Sequence, residues 1–419
     1  METRPLLGSS PGPRYSSASQ RRAAGWLGLL LGLLALLTIA TTMTPPGRWV
    51  RVERLPADQG ESTMAAVAAL EEAMRRQDAT SAKRSSESDG SRTSGVIIDH
   101  GGTLRLVPDL RAAANATALA SAVYQRNVSG WNRFVGTAMP LKPGDRKAYL
   151  RSMEALGFIE GLFTCREIQD FYVNFYSAQF EGGDPSDDVI DFITETFTWV
   201  SKRAEREHMS SDYWLVVRGV LLQLEGMLQG AIEGCSLSNM KSDHTNVLRS
   251  FDSPSLLHLL LVNNNGDFMQ ILPKFDPISM EGRFLPSRRL SESKSRKEHC
   301  SALIKLLPGN VDILFGHTTW DDYQCMGPRI LKSYTIPTFN GTVTRMDFSS
   351  SPGMVMSIDD FYIIQRADAS RSTMVVMETS LPIFDTSLLN RIHTNSVPYW
   401  VRVRVANQLA GNHSPDSIC

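Results

Sequence analysis

Apolar residues in the first half of the chain recur at helical spacing over three long segments. In the second of these segments, four apolar residues are spaced by four, four and three positions and so share one helix face: Val189, Ile193, Phe197 and Val200. The pattern predicts helices at residues 149–176, 188–206 and 212–235 and a further helix at 112–134. The segment 212–235 is apolar around most of its circumference, which predicts a buried helix. Its Glu225 is either a catalytic carboxylate or, as is more common, the partner of Arg218.

The second half of the chain changes to short apolar or β-branched runs between turn residues. These runs predict strands, beginning with a buried strand at 302–307 and continuing at 311–315, 354–358, 361–364 and 374–377. An earlier pair of runs around Gly101-Gly102 predicts a hairpin at the start of the folded body, near Gly95. Helices first and strands later predict an α+β fold in which Cys300 opens a strand of a sheet.

The N-terminal region predicts entry into the secretory route. Residues 23–43 carry no charge, are rich in Leu and follow Arg21-Arg22. That length fits a transmembrane signal anchor, since about 20 apolar residues span a bilayer, and the positive flank predicts a cytosolic tail at 1–22 in a type II orientation. The alternative is a cleaved signal peptide. Residues 44–94 are predominantly polar and predict a disordered stalk.

A polar segment and a cysteine meet in the middle of the chain. Residues 287–299, SRRLSESKSRKEH, contain a single strongly apolar side chain and predict an exposed loop that proteases can cut. Cleavage between His299 and Cys300 would place a thiol and a new α-amine on one residue. The amine titrates near pH ~8 and the thiol near ~8.5, so the amine can take the thiol proton and activate a nucleophile. The alternative is a structural cysteine, buried at the start of a strand or paired in a disulfide.

Composition excludes several classes of function. The net charge of −1 gives no argument for nucleic-acid binding. The five cysteines show no CxxC spacing, and the sequence has no G-x-S-x-G, HExxH, Walker or dinucleotide-binding motif, so neither a cofactor nor a metal is predicted. An odd number of cysteines leaves at least one thiol unpaired within a monomer.

Three consecutive segments resemble a known family. They are CSALIKLLPGN from Cys300, DILFGHTTWDDYQCM from Asp312 and FSSSPGMVMSIDDFYII from Phe348. Together they are similar to the phospholipase B-like family, which includes the lamina ancestor proteins, and the likeness extends over residues 95–409. The resemblance implies an N-terminal-nucleophile hydrolase with an αββα sandwich, in which the chain is cut after His299 and Cys300 is the nucleophile.

The resemblance also implies further site residues. His317 and Trp320 match the motif beside the nucleophile, where a histidine orients the substrate or holds the amine and a tryptophan walls an acyl pocket; a turn histidine and a packed indole are the structural alternatives. Asp321, Asp359 and Asp360 are weaker candidates, because paired aspartates in a β-rich stretch commonly cap turns. Three acceptor sequons predict glycosylation at Asn115, Asn127 and Asn340.

Beyond Leu409 the resemblance fades, whereas family members continue through an Asn-Asn-Gln-Trp segment and a later arginine that help to form the oxyanion site. We therefore expect an incomplete sandwich, with a helix-rich part at 95–286, the processing loop at 287–299 and a β-rich part at 300–419.

The expected function is a lysosomal or secreted hydrolase that removes acyl chains from phospholipids or related lipid amides, and its contact with the membrane is through residues 23–43. The alternative is an inactive lumenal glycoprotein that binds lipid or a protein partner.

Overall fold

The computed structural model describes residues 91–101, 103–107, 116–139, 144–180, 183–237, 254–275, 300–321, 323–337, 343–366, 373–379 and 385–410. Contacts divide the chain into residues 1–49 and 50–419, and all described residues belong to the second unit. The predicted membrane segment, most of the stalk, the loop 287–299, Asn115 and Asn340 lie outside the described residues.

One large sheet runs through the described part of the chain. Its eight strands are β1 (Ser91–His100), β2 (Thr103–Val107), β3 (Ala118–Tyr124), β4 (Asn132–Ala138), β7 (Ile330–Pro337), β8 (Val343–Ser350), β9 (Phe361–Arg366) and β10 (Thr373–Met377). They lie in the order β10-β9-β8-β7-β4-β3-β1-β2, and the two strands between β4 and β7 in the chain form a separate hairpin. All neighbours are antiparallel except β4 and β7, which pair in parallel from Asn132 opposite Ile330 to Thr137 opposite Thr335. Strands from both sides of Cys300 therefore form one sheet.

Helices cover this sheet and pack against one another. They are α1 (Arg126–Ser129), α2 (Arg146–Phe180), α3 (Asp187–Glu207), α4 (Asp212–Leu237), α5 (Leu256–Asn263), α6 (Phe268–Phe275) and α7 (Tyr399–Leu409). One core cluster joins the sheet to α2, and a second joins helices α2 to α7 to the segment around Val355. The three long helices predicted from apolar spacing are confirmed, and the predicted apolar face of α3 is buried.

Glycines allow α2 and α4 to approach closely. Gly157 and Gly161 on α2 are four residues apart, and Gly226 and Gly230 on α4 have the same spacing. A Cβ atom added to any of them would overlap a backbone carbonyl oxygen of the other helix. Beyond this contact, a disulfide joins Cys165 of α2 to Cys235 of α4, with their Cα atoms 5.7 Å apart. The two helices therefore form one tightly fixed unit.

A buried polar cluster links this helix pair to the sheet. Glu160 of α2 accepts a hydrogen bond from the Tyr334 hydroxyl at 2.5 Å, and its other carboxylate oxygen lies 2.7 Å from Nζ of Lys332. On α7, Arg404 donates to the side-chain oxygen of Gln223 on α4 at 3.0 Å. All five residues are fully enclosed. Each charge therefore depends on its partners, because water cannot replace them.

Two strands lie apart from the large sheet. β5 (Cys300–Leu306) and β6 (Ile313–Thr319) form a separate antiparallel hairpin. The strand that begins at Cys300 is confirmed, but its predicted burial is wrong, since Leu303 and Ile304 are each 65% exposed. An apolar run predicts burial only where a second layer covers it, and no described residue covers these side chains.

Three other sequence predictions need correction. The helix predicted at 112–134 is wrong: its described residues form β3, the single turn of α1 and the start of β4. Alanine favours helix locally, yet Ala118, Ala120 and Ala122 alternate and face the core beneath α2, which favours a strand. The predicted strand at 354–358 is a buried bend instead. β1 begins at Ser91, four residues before the predicted start at Gly95. The coarse α+β class is confirmed as a mixed sheet covered by helices.

Candidate functional site

Cys300 begins β5 and is half-buried there. It lies opposite Thr319 in the hairpin register. The backbone N–H of the next residue, Trp320, donates a hydrogen bond to the Cys300 sulfur. Burial raises the pKa of the Cys300 thiol; the Trp320 N–H opposes that rise, and Glu378, Asp360 and Asp359 add to it. The thiol of the uncut chain therefore stays protonated at neutral pH and needs a base before it can attack.

His317 lies on the same face of the hairpin as Cys300. Directly opposed residues in an antiparallel pair share a face, and so do residues two apart along a strand. Thr319 opposes Cys300, and His317 precedes Thr319 by two positions. Nε2 of His317 is 2.8 Å from the backbone oxygen of Glu378 and must donate to it, because a carbonyl can only accept. The contact fixes the tautomer and the orientation of the imidazole.

Trp320 contributes its backbone to Cys300, while its side chain is 62% exposed. Among the described residues, therefore, the indole does not line an enclosed pocket. Its predicted part in an acyl pocket stays a prediction. Asp321, the next residue, is exposed as well.

Three acidic residues approach the hairpin from the end of the large sheet. Asp359 forms an ion pair with Arg329, which also donates to the Ser351 hydroxyl at 2.7 Å. Asp360 shares a hydrogen bond with the side chain of Glu378. Burial raises the pKa of Asp360 to about 9, and the neighbouring Glu378 adds to the rise. A hydrogen bond between two carboxyl groups requires a proton, and Asp360 is the member whose raised pKa favours keeping it.

The β9–β10 end supplies a site residue that sequence reasoning missed. Glu378 follows β10 directly, and nothing in its local sequence distinguishes it from an exposed acid after a strand. Its backbone N–H donates to the Asp360 carbonyl at 3.2 Å, which closes the end of the β9–β10 pair. Only the tertiary arrangement brings this residue to His317 and Cys300. Asp360, proposed as a turn residue, does lie in a turn, with a positive φ of 48°.

The remaining sequence candidates are located as follows. Glu225 lies 3.0 Å from Arg218, as the structural interpretation predicts. Asn127 is exposed on α1, and His299 falls outside the described residues. No group of three or more His, Cys, Asp or Glu side chains in the described ranges is placed to hold a metal ion. One described helix, α4, is long and apolar enough to cross a membrane, but most of it is buried against protein, as in the core helix of a soluble domain.

Comparisons with known proteins identify the family of this chain. The profile of the family described as Phospholipase B matches residues 120–415. The chain belongs to the phospholipase B family. Human Phospholipase B-like 1 is 30% identical over 260 residues, which cover 62% of this chain and 42% of that protein. Phospholipase-B 81 of Drysdalia coronoides is 30% identical over 261 residues, covering 62% of this chain and 44% of the relative.

A third relative of the phospholipase B family gives the same picture. Phospholipase B-like protein D of Dictyostelium discoideum is 29% identical over 291 residues, covering 68% of this chain and 47% of that protein. The chain thus spans less than half the length of these relatives. The matched region includes both the large sheet from β3 onward and the Cys300 hairpin.

Proposed function

We propose that this chain carries the nucleophile of a phospholipase B-like hydrolase, which removes acyl chains from phospholipids or related lipid amides. The observation that carries the proposal is the position of Cys300, directly after residues 287–299 and at the first position of β5, where the Trp320 N–H meets its sulfur. Relatives named phospholipase B support the class of reaction.

The proposed reaction has two stages. In the first, the Cys300 thiol attacks the His299 carbonyl and displaces its own nitrogen, and water hydrolyses the thioester, which frees both the thiol and the α-amine of Cys300. In the second, the amine takes the thiol proton and the thiolate attacks the ester or amide carbonyl of the substrate. The ammonium then returns the proton to the leaving alcohol or amine. Water hydrolyses the thioester, releases the fatty acid and restores the thiol. His317, held by the Glu378 carbonyl, orients the substrate or the amine on the same face.

The finer fold assignment belongs to the same proposal. We propose that the large sheet and the β5–β6 hairpin represent the two sheets of an αββα sandwich. Phe315 and Phe361 support it, because their ring centroids lie 6.0 Å apart and join the hairpin to β9. The His317–Glu378 contact joins the same two elements.

Two observations support a lysosomal or secreted location. The disulfide between Cys165 and Cys235 is of a kind that persists in oxidising compartments. Asn127, in the sequon Asn-Val-Ser, is exposed and open to a glycan. Anchoring through residues 23–43 and glycans at Asn115 and Asn340 belong to the same proposal and lie outside the described residues.

The test is mass analysis of the chain purified from its native compartment, beside Cys300→Ala and Cys300→Ser forms. Cys325 is also a free thiol, so Cys325→Ser is the matched control. We expect a fragment that begins at Cys300 in the wild type and in the control, no such fragment in the alanine form and slower cleavage in the serine form. Fatty-acid release from phospholipid vesicles should fall at least about 100-fold in both Cys300 variants.

Two results would overturn the proposal. One is a wild-type chain that never exposes Cys300. The other is equal cleavage in the alanine form, because a protease acting alone would then explain the cut. Either would leave a lumenal lipid-binding or partner-binding glycoprotein as the better description.

A further inference from the structure

The carboxyl groups of Asp360 and Glu378 form a pair that faces the Cys300 end of the hairpin. Their side chains share a hydrogen bond, and both act electrostatically on the Cys300 thiol. Backbone bonds fix their positions: the N–H of Asp360 donates to the Ser357 carbonyl at 3.3 Å, and that of Glu378 to the Asp360 carbonyl. The pair is therefore held at this edge whatever the charge of its side chains.

The charge of this pair has no cationic partner among the described residues. Asp359, one residue earlier, has Arg329 as its partner. Among the residues that the structure describes, no Lys or Arg forms an ion pair with Asp360 or Glu378. Because a hydrogen bond between two carboxyl groups requires that one of them keep its proton, the other carries a negative charge that no described Lys or Arg neutralises. A charge of this kind stabilises a positive group placed beside it.

We propose that the Asp360–Glu378 pair is the counter-charge for the ammonium that forms when the freed α-amine of Cys300 takes the thiol proton. This inference rests on the proposed function, because the amine exists only after cleavage before Cys300. One S–H bond breaks and one N–H bond forms, so a neutral thiol and amine become a thiolate and an ammonium with no change in total charge. The pair attracts the ammonium, and because it also raises the pKa of the thiol, the proposal requires that it act more strongly on the nitrogen of Cys300 than on the sulfur.

The same pair has the opposite effect on an uncut chain. There the nitrogen of Cys300 is a neutral amide, and the negative charge acts on the thiol alone and raises its pKa. Cleavage would supply the positive partner. The pair thus holds the thiol unreactive before the cut and assists proton transfer after it.

Other ionisable groups also face this edge. His317 lies on β6, and Arg329, paired with Asp359, directly precedes β7. Tyr362 of β9 and Tyr399 of α7 also face Asp360, which helps to raise their pKa values. His317 contacts the backbone oxygen of Glu378, so side-chain substitution of Glu378 leaves that bond in place. The charge of the pair can therefore be changed separately from the position of the imidazole.

The substitutions that test this are Asp360→Asn and its combination with Glu378→Gln. Asp360→Asn keeps the carboxylate of Glu378 and a hydrogen-bond donor, whereas the double variant is neutral and similar in shape. The matched control is Asp187→Asn with Asp188→Asn, which removes two exposed acids from the first turn of α3. All forms carry a protease site engineered into residues 294–299, so that Cys300 can be freed in every variant.

The measurement is a pH titration of Cys300, monitored through the ¹³Cβ signal of labelled cysteine. The Cys300→Ser variant identifies which signal belongs to Cys300. In the cut chain we expect the amine pKa to fall by about one unit in the double variant and to stay within about 0.3 in Asp360→Asn and the control. In the uncut chain, the thiol pKa should fall in the double variant. In Asp360→Asn alone, the ¹³Cδ signal of labelled Glu378 should lose a transition near pH 9, because the neighbouring group no longer titrates, so the test stands even if the double variant fails to fold.

Failure of this inference and failure of the proposed function give different results. An unmoved Cys300 titration in a folded double variant, or a pH 9 transition that survives Asp360→Asn, overturns the role of the pair while natural cleavage still supports the nucleophile. A natural chain that never exposes Cys300 overturns the proposed function, and with it the need for a counter-charge. Where lipid hydrolysis is measurable, the double variant should shift the pH profile of kcat/KM, which a purely structural defect would lower evenly.

Discussion

The helix-covered sheet and the β5–β6 hairpin use similar residues in opposite environments. In the covered sheet, Leu119 and Ile97 are fully buried, whereas Leu303 and Ile304 of the hairpin are mostly exposed. The covered sheet also encloses charged side chains such as Lys332, whereas Cys300 is half-buried at the first position of the hairpin. The candidate nucleophile therefore lies on a hairpin that the described residues leave largely exposed, next to a tightly packed core that positions its neighbours.

The strongest test of this contrast is a substitution in the buried Glu160–Lys332 pair of the covered sheet. Lys332→Met leaves the Glu160 carboxylate enclosed without its cation. We expect the free energy of unfolding to fall by about 3–5 kcal/mol in chemical denaturation. The double variant Glu160→Gln with Lys332→Met should recover much of that loss, since the Tyr334 hydroxyl keeps an acceptor. A loss below about 1 kcal/mol for Lys332→Met alone would show that the pair is hydrated in solution.

A second test places the same substitution in both regions. Gly157→Ala puts a methyl group against the Gln223 carbonyl oxygen, whereas Gly316→Ala on β6 meets nothing within 4 Å. Alanine gains about 1 kcal/mol over glycine in a helix, so Gly157→Ala tests whether the close contact outweighs that gain. We expect a net loss of about 2–3 kcal/mol for Gly157→Ala, and no loss or a gain of about 0.5 kcal/mol for Gly316→Ala. Thermal unfolding of both variants measures these changes in stability. A Gly157→Ala variant more stable than the wild type would contradict the close contact between α2 and α4.

The smallest expected effect is for an exposed leucine of the hairpin. Leu303→Ala should change the free energy of unfolding by less than about 0.5 kcal/mol, because its side chain is already largely in solvent. Leu119→Ala, the buried counterpart on β3, should cost about 2–5 kcal/mol. If Leu303→Ala costs as much as Leu119→Ala, the hairpin is covered in the folded protein by a surface outside the described residues.

Sequence patterns predicted one of these regions better than the other. The three long helices follow from apolar spacing because α2, α3 and α4 bury one another, so the periodicity reports the contact. The alanine-rich β3 was missed, since local propensity favours helix and only packing beneath α2 makes it a strand. The exposure of Leu303 could not be foreseen, because an apolar run does not reveal whether a second layer covers it.

The candidate site was predictable only in part. Cys300 was predicted from its position between a polar loop and an apolar run as well as from the family resemblance, whereas His317 came from the resemblance alone, and the hairpin register places them on one face. Glu378 carries no local signal, and it reaches the site through the pairing of β9 with β10 and the turn at Asp360. Contacts between residues far apart in sequence, such as the bond from His317 to Glu378, arise from the tertiary fold and have no periodicity to reveal them.

The parallel pairing of β4 with β7 has a consequence for the chain as a gene product. A cut before Cys300 would leave β1 to β4 in one polypeptide and β5 to β10 in the other, yet both would share the same sheet and the Glu160–Lys332 pair. The disulfide from Cys165 to Cys235 lies wholly within the first polypeptide. The product would therefore behave as a heterodimer made from a single reading frame: native mass would be unchanged, and denaturant without reductant would separate the two subunits.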